Sequence, residues 1–459
     1  MDVISQKSSL SGKITVPASK SHTIRALLLA SLAEGTSHIK NPLASADCLS
    51  TAGAMPLLGA QIDLNLSTEG EPGTEWIVHG AGSRFHTPTD VVNVGNSGSL
   101  LYFLSPLCAT LDGASVFTGD ESIRRRPILH LVDSLNQISD EKSFVTRPDS
   151  NGCPVVIRGK IHSGTVFTEG AVSSQYISGL MMAALRVDGG LKIELSNPKE
   201  TPYLTMTKSW LDRLGVESSI SDDFKKIEVK EKKEIAAFDA TIPSDWEGVA
   251  FPLIAALISR ESRVEIQNID SSGTQGDEAI VEIMKMLGAK IEWNRQNETI
   301  LVQSSRLSTK NLPNETLKVA LSPFPDAVCA LAVAACFVEG TVILEDAAVC
   351  RKKETDRLHA LFEELSKVGA QIEEGEDFLK IRGHSPILED GSPNPDFNLH
   401  GAILESRLDH RLAMSFACLG LALPKNERVI VTNAECCAVS FPHFFETMNT
   451  IGAGFVLDK

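Results

Sequence analysis

The stretch "RKKETDRL" (351–358) gathers Arg351, Lys352, Lys353 and Arg357 around Glu354 and Asp356, where an amphipathic helix begins. The chain as a whole is acidic, with 43 Lys and Arg against 59 Asp and Glu, so this cluster runs against the bulk balance. Cations beside a helix N-terminus bind phosphate or carboxylate, because exposed N–H groups and the helix dipole reinforce the side-chain charge. A carboxylate held among them can carry a proton on or off. Similar side chains recur at other helix starts. "PASKSHTIRALLLA" (17–30) carries Lys20, Ser21 and Arg25, with Ser19 or Ser21 available as the cap. "NVGNSGSLLYFL" (93–104) offers Gly95 and Gly98 for close backbone approach to a ligand, beside Asn96, Ser97 and Ser99. "TGDESIRRRPI" (118–128) puts Arg126 directly before Pro127 at an expected helix start. "VSSQYISGL" (172–180) sets Ser173, Ser174 and Gln175 ahead of an apolar helix, and "KETPYLTMT" (199–207) follows with Tyr203. "PFPDAVCALAVAA" (323–335) places Asp326 at the start of another apolar helix, where an N-cap role explains part of its presence. "LDHRLAMSFACLGL" (408–421) does the same with Asp409, His410 and Arg411.

Taken singly, each stretch has a plain explanation: a capped helix, a Gly-rich turn, a solvated arginine. Taken together, they repeat one position. If equivalent helices point inward, Lys20, Arg25, Arg126, Lys353, Arg357 and Arg411 focus a positive potential on a polyanionic ligand. Asp326 and Glu354 are then the acid and base candidates.

The elements that must position these groups also repeat. "TDRLHALFEELSKVGAQIEE" (355–374) has Leu358, Leu361, Phe362, Leu365 and Val368 on one helical face, with Gly369 as the stop and a strand after it. The same ending occurs in "MPLLGAQIDL", "WLDRLGVESSI", "IMKMLGAKIEW" and "FETMNTIGAGFVL". A more apolar helix and a β-branched strand precede each one. Units starting near Arg25, Ser99, Tyr176, Val249, Ala327 and Leu412 are 74, 77, 73, 78 and 85 residues apart. This predicts an α/β (α+β) protein of six copies of helix–strand–loop–helix–strand–strand, each too long for a solenoid repeat. Three copies per domain give one domain over 19–241 and a second over 242–459, with the pattern interrupted at "AAFDATIPSDW". The strand "GKITVP" (12–17) precedes the first copy and is free to pair with the second domain, so residues 1–18 are assigned there.

Composition excludes several functions. No apolar run reaches the roughly 18–20 residues of a membrane span, and "MDVISQKSSLSGKITV" has no signal or transit character. An acidic balance with 5% aromatic residues speaks against nucleic acid. Nine cysteines without framework spacing read as reduced cytosolic thiols, so the expected location is cytoplasmic. There is no HExxH, no CxxC pair and no Walker loop, hence no motif for a metal or a nucleotide.

These motifs, in this order and over nearly the whole chain, resemble the EPSP synthases of the enolpyruvyl transferase family. The resemblance implies a two-domain inverse α/β barrel with threefold repetition in each domain, closing around shikimate 3-phosphate and phosphoenolpyruvate. It implies transfer of the enolpyruvyl group to the acceptor's 5-hydroxyl with release of phosphate, by a monomer, with no metal or organic cofactor. Position by position, it makes Ser21, Arg25, Ser173, Ser174, Gln175, Tyr203, Asp326 and Lys353 contacts of shikimate 3-phosphate. Lys20, Gly98, Arg126, Gln175, Arg357 and Arg411 become contacts of phosphoenolpyruvate. Asp326 is similar to the group that takes the hydroxyl proton, and Glu354 with Lys20 to the group that protonates the methylene carbon.

The chain departs from the family pattern at Tyr102 (arginine), Val439 (lysine), Val349 and Ile24 (asparagine) and Glu200 (serine, unless the loop is shifted by a residue or two). Two further readings follow. One is a transferase for another acceptor; the branch acting on UDP-N-acetylglucosamine carries a cysteine in the loop read here as "TGDESIRRRPI", which has none. The other is a non-catalytic paralogue. Retention of both Asp326 and Glu354 speaks against it, because binding alone needs neither.

Overall fold

The computed structural model describes residues 1–68 and 73–458. Two compact units emerge: Ala18–Pro243, and Met1–Pro17 together with Ser244–Lys459.

Each unit is built around three apolar helices. In the first these are α1 (Lys20–Leu32), α2 (Gly98–Cys108) and α3 (Ser174–Ala183). In the second they are α4 (Trp246–Ile258), α5 (Val328–Ala335) and α6 (His410–Gly420). A helix that is apolar all round has no face for water, so it must be enclosed. Accordingly every residue of α2, α5 and α6 is buried. In the second unit all three pack on one another, and in the first α2 packs on both α1 and α3; each unit has its own hydrophobic core.

Six small sheets cover these helices, three per unit, wired alike except that one has a second parallel strand, Leu307–Ser308. The strand after each core helix pairs with a parallel neighbour on one side and an antiparallel one on the other. That antiparallel strand pairs with a further antiparallel one. Strands 34–40, 114–118 and 191–196 are the central ones of the first unit. In the second unit 263–267, 338–345 and 428–432 take that place. Helices inside and strands outside make each unit the inverse α/β arrangement expected from the sequence.

The shared glycine ending has a conformational cause. Gly59, Gly215, Gly288, Gly369 and Gly452 all adopt φ between 67° and 97°. This left-handed region stops a helix with little penalty only for glycine.

Chain ends complete the pattern. Ser11–Thr15, which starts one residue before the predicted 12–17 strand and ends two residues earlier, pairs in parallel with 263–267. Asp2–Gln6, which the repeat pattern did not flag, lies between 428–432 and 456–458 and supplies the strand that the sixth copy lacks. Ala240–Thr241 pairs with 34–40 and closes the first sheet. Among the described residues none of the nine cysteines is in a disulfide, and eight are buried. Among the described residues no helix is long and apolar enough to cross a membrane.

Candidate active site

Many of the candidate side chains lie at or near the N-terminal ends of the core helices, and each unit holds its own group.

In the unit 18–243, Ser19 rather than Ser21 caps α1, accepting from the His22 N–H at 3.4 Å. Lys20 lies 3.4 Å from the Asp47 carboxylate. Arg25 is 1% exposed. Its Nε donates to Thr207 Oγ1 at 2.9 Å, Nη1 to the Ser21 carbonyl at 3.0 Å, and Nη2 to Ser178 Oγ and the Tyr203 carbonyl at 3.3 Å each. The guanidinium lies 4.7 Å from the centroid of the Phe103 ring. Desolvation pushes its pKa down to about 9. Among the described residues no carboxylate lies within ion-pair distance of it, so this buried cation rests on neutral oxygens alone.

Ser97 caps α2, accepting from the Leu100 N–H at 3.2 Å. Gly98 opens the helix, and a side chain there would run into the Arg126 guanidinium. Arg126 is not at a helix start, as its place before Pro127 had suggested. It closes the short helix Glu121–Arg125, and the next helix begins only at Leu129. Proline favours an extended residue before it, and Arg126 has ψ 132°. Gln175 Nε2 donates to Ser99 Oγ at 3.0 Å, linking α3 to the start of α2. Tyr102 is buried, and its hydroxyl donates to the Pro127 carbonyl at 2.6 Å, beside Arg126. Burial pushes its phenol pKa up.

Ser173 caps α3, accepting from the Gln175 N–H at 3.2 Å. Ser174 donates twice to Glu200 Oε2, from its N–H at 2.8 Å and its hydroxyl at 3.0 Å. The serine pair thus has two distinct employments.

The second unit holds the acid–base candidates. Arg357 is 0% exposed and joins three carboxylates. Nε donates to Asp409 Oδ2 at 2.7 Å, Nη2 to Glu354 Oε2 at 2.7 Å, and Nη1 to Asp326 Oδ1. Asp326 also pairs with Lys353 Nζ at 3.4 Å and Arg411 Nε at 3.1 Å. Arg411 Nη2 pairs with Glu247. Asp409 caps α6 through the Arg411 N–H at 2.9 Å. Asp326 does not cap: α5 follows a 3₁₀ turn, Pro325–Ala327, and has no side-chain cap. Burial alone would push the Asp326 carboxyl up; the charges of Lys353 and Arg357 outweigh it and hold the pKa down at about 2. Arg357 is raised well above its ordinary value, because three carboxylates more than offset its desolvation.

The four cations of "RKKETDRL" therefore divide. Arg351 holds Asp356 and Glu374, each at 2.8 Å, and stabilises the local fold. Lys352 is exposed, whereas Lys353 and Arg357 reach the carboxylate cluster. The positive potential expected from the sequence is met in large part by the chain's own acids. Of these, Asp47 and Glu247 escaped sequence reasoning. Glu247 sits in the first turn of α4, the same position that flagged the other copies, and that rule would have found it.

Val349 is buried, Ile24 lies in the core and Val439 is half-buried in the turn Ala434–Val439. Among the described residues no group of three or more His, Cys, Asp or Glu could hold a metal ion.

Comparison with known proteins bears on this arrangement. A family model described as EPSP synthase (3-phosphoshikimate 1-carboxyvinyltransferase) matches residues 4–448. A protein named 3-phosphoshikimate 1-carboxyvinyltransferase from Acetivibrio thermocellus is 37% identical over 449 residues, covering 98% of this chain and 97% of that one. One of the same name from Ruminiclostridium cellulolyticum is 35% identical over 447 residues, 97% of each chain. The solved EPSP synthase of Acinetobacter baumannii superposes with a TM-score of 0.79 at 26% identity over the full length of both chains.

Proposed function

Since the chain belongs to the EPSP synthase family, we propose that it transfers the enolpyruvyl group of phosphoenolpyruvate to the 5-hydroxyl of shikimate 3-phosphate and releases phosphate. The observation that carries this reading is the joining of Asp326 and Glu354 through one buried guanidinium, that of Arg357. Addition and elimination need one group to take a hydroxyl proton and another to deliver a proton to carbon. Two carboxylates held by one fixed cation meet both needs.

In this mechanism Asp326 takes the 5-hydroxyl proton as that oxygen bonds to C2 of phosphoenolpyruvate. Glu354, with Lys20, delivers a proton to the methylene carbon. The tetrahedral adduct then loses phosphate and one methyl proton, which restores the double bond. Lys20, Gly98, Arg126, Gln175, Arg357 and Arg411 hold phosphoenolpyruvate; Ser21, Arg25, Ser173, Ser174, Gln175, Tyr203, Asp326 and Lys353 hold the acceptor. A carboxylate at pKa about 2 is ionised but a weak base. Substrate anions that draw charge from Lys353, Arg357 and Arg411 raise its basicity at the moment it is needed. We assign the two compact units as the two domains, the protein as a monomer because one chain supplies every named group, and its location as the cytoplasm, consistent with nine thiols outside any disulfide.

A second reading, a transferase with a different acceptor, draws on one observation: a carboxylate, Glu200, already occupies Ser174. The experiment that tests the primary reading is phosphate release by purified protein with both substrates, against each alone. Release that needs both is expected. Its absence, with the protein folded, removes this activity.

A further inference from the structure

The core helices of the second unit have two ends, and the candidate catalytic groups occupy only the N-terminal one. Beyond the C-terminal ends of α4, α5 and α6 lies a cavity of about 660 Å³, a size that suits a small organic ligand. Its floor is apolar. Leu257, Leu307, Leu421 and Leu423 are at most 1% exposed, and the Phe337 and Phe397 ring centroids are 5.7 Å apart. Its rim is cationic, with Lys7, Arg260, Lys290 and Arg306 against one lining carboxylate, Glu261. Among the described residues neither Lys7 nor Lys290 has a carboxylate within ion-pair distance. Ser259, the C-cap of α4, lines the cavity and is 0% exposed, and its Oγ has no hydrogen-bond partner among the described residues. The wall is held by the chain itself. Arg306 Nε donates to the Ile387 carbonyl at 3.2 Å, and Asn394 Nδ2 donates to Glu339 Oε2 at 3.1 Å and to the Ser385 carbonyl at 2.8 Å.

Helix C-termini attract cations by themselves, so the first unit is the comparison. The cavity beyond α1, α2 and α3 has Lys160, Arg186 and Lys233 balanced by Glu34, Asp188 and Glu234. The cationic excess is therefore particular to the second unit, in a chain of net charge −16. We propose that the cavity of the second unit binds an aromatic carboxylic acid, with its ring on the floor beside Phe337 and Phe397 and its carboxylate at the rim. Burial of the apolar body supplies affinity, and charge-assisted hydrogen bonds to the rim select the anion. The unpartnered Ser259 hydroxyl gains an acceptor. The cavity stands apart from the helix starts that carry Glu247, Asp326 and Asp409, so the inference does not depend on the transferase reading.

The test uses 1-naphthaleneacetate and its neutral amide, 1-naphthaleneacetamide, which share one aromatic body and differ in charge. Ligand-observed NMR titration of the full chain compares them on the parent, on Arg260→Ala combined with Lys290→Ala, and on Ala422→Phe, which fills the cavity from a half-buried lining position. The acid is expected to bind the parent about tenfold more tightly than the amide, and the contrast to shrink to about twofold in the rim variant. Both ligands are expected to be lost in Ala422→Phe. Arg260 and Lys290 are exposed, so the rim variant carries the test if the phenylalanine variant does not fold. The proposal is overturned if the acid does not bind the parent, or if acid and amide bind it equally. It is also overturned if the folded variants bind the acid as the parent does, which places the acid on cations elsewhere.

Discussion

At the scale of single residues, the second unit is governed by one buried arginine with three carboxylates. Arg357 is tolerated at 0% exposure because Asp326, Glu354 and Asp409 neutralise it. Removing one partner from such a group costs roughly 3–5 kcal/mol, since the remaining charge stays buried. The pH dependence follows from Asp326. Its folded pKa of about 2 lies below its ordinary 3.8, so its contribution to stability is complete above pH 4 and is lost as pH falls towards 2. Asp326→Asn should therefore melt at lower temperature than the parent at neutral pH, with the gap closing between pH 4 and pH 2. Thermal unfolding across that range decides it, and a gap that stays constant with pH would show that the ionised carboxylate is not the stabilising species. The same low pKa keeps Asp326 ionised at neutral pH and makes it a weak base while its cations hold it.

At the scale of elements, the recurring device is a core helix whose first turn carries polar or charged side chains while its remaining length is sealed in apolar packing. In α2 the first residue must be small. A Cβ on Gly98 would meet the Arg126 guanidinium, which belongs to a flexible side chain and so can move, whereas the packed helix cannot. Gly98→Ala should leave the melting temperature close to that of the parent, because alanine suits a helix better than glycine. It should raise the Michaelis constant for phosphoenolpyruvate by about tenfold through displacement of one cation. Steady-state kinetics checks this, and an unchanged constant would remove Arg126 from the phosphoenolpyruvate contacts. Tyr102 supports the same loop from the other side: its hydroxyl holds the carbonyl of Pro127, next to Arg126. The aromatic residue that departs from the family pattern thus has a structural task.

At the scale of the whole molecule, the chain starts in one unit, builds the other and returns. Residues 1–17 belong with 244–459, and Asp2–Gln6 fills the sixth sheet between strands 428–432 and 456–458. Val3 is fully buried there, and Ser5 Oγ donates to the Ala417 carbonyl at 2.6 Å. Deletion of residues 1–6 should leave 428–432 as an unpaired edge and destabilise that unit, whereas 18–243 keeps its own core. Hydrogen exchange is the measurement: protection is expected to fall in 428–432 and 456–458 and to persist in 191–196. Equal loss in both units would contradict separate cores.

What the sequence alone determined was whatever repeats locally. Six apolar helices, five glycine stops and polar groups at helix starts are periodic features, and each is enforced by neighbours a few residues away. The motif order carried the family resemblance for the same reason. Only the tertiary structure decided which charges neutralise which. Arg411 meets Glu247 at a separation of 164 residues and Arg357 meets Asp409 at 52, and no local pattern encodes such pairs. It also moved Asp326 from helix cap to ion-pair centre and Arg126 from helix start to helix end, and placed the Glu200 carboxylate on Ser174. Burial makes a charge costly without a partner, and the partner is chosen by how distant segments pack.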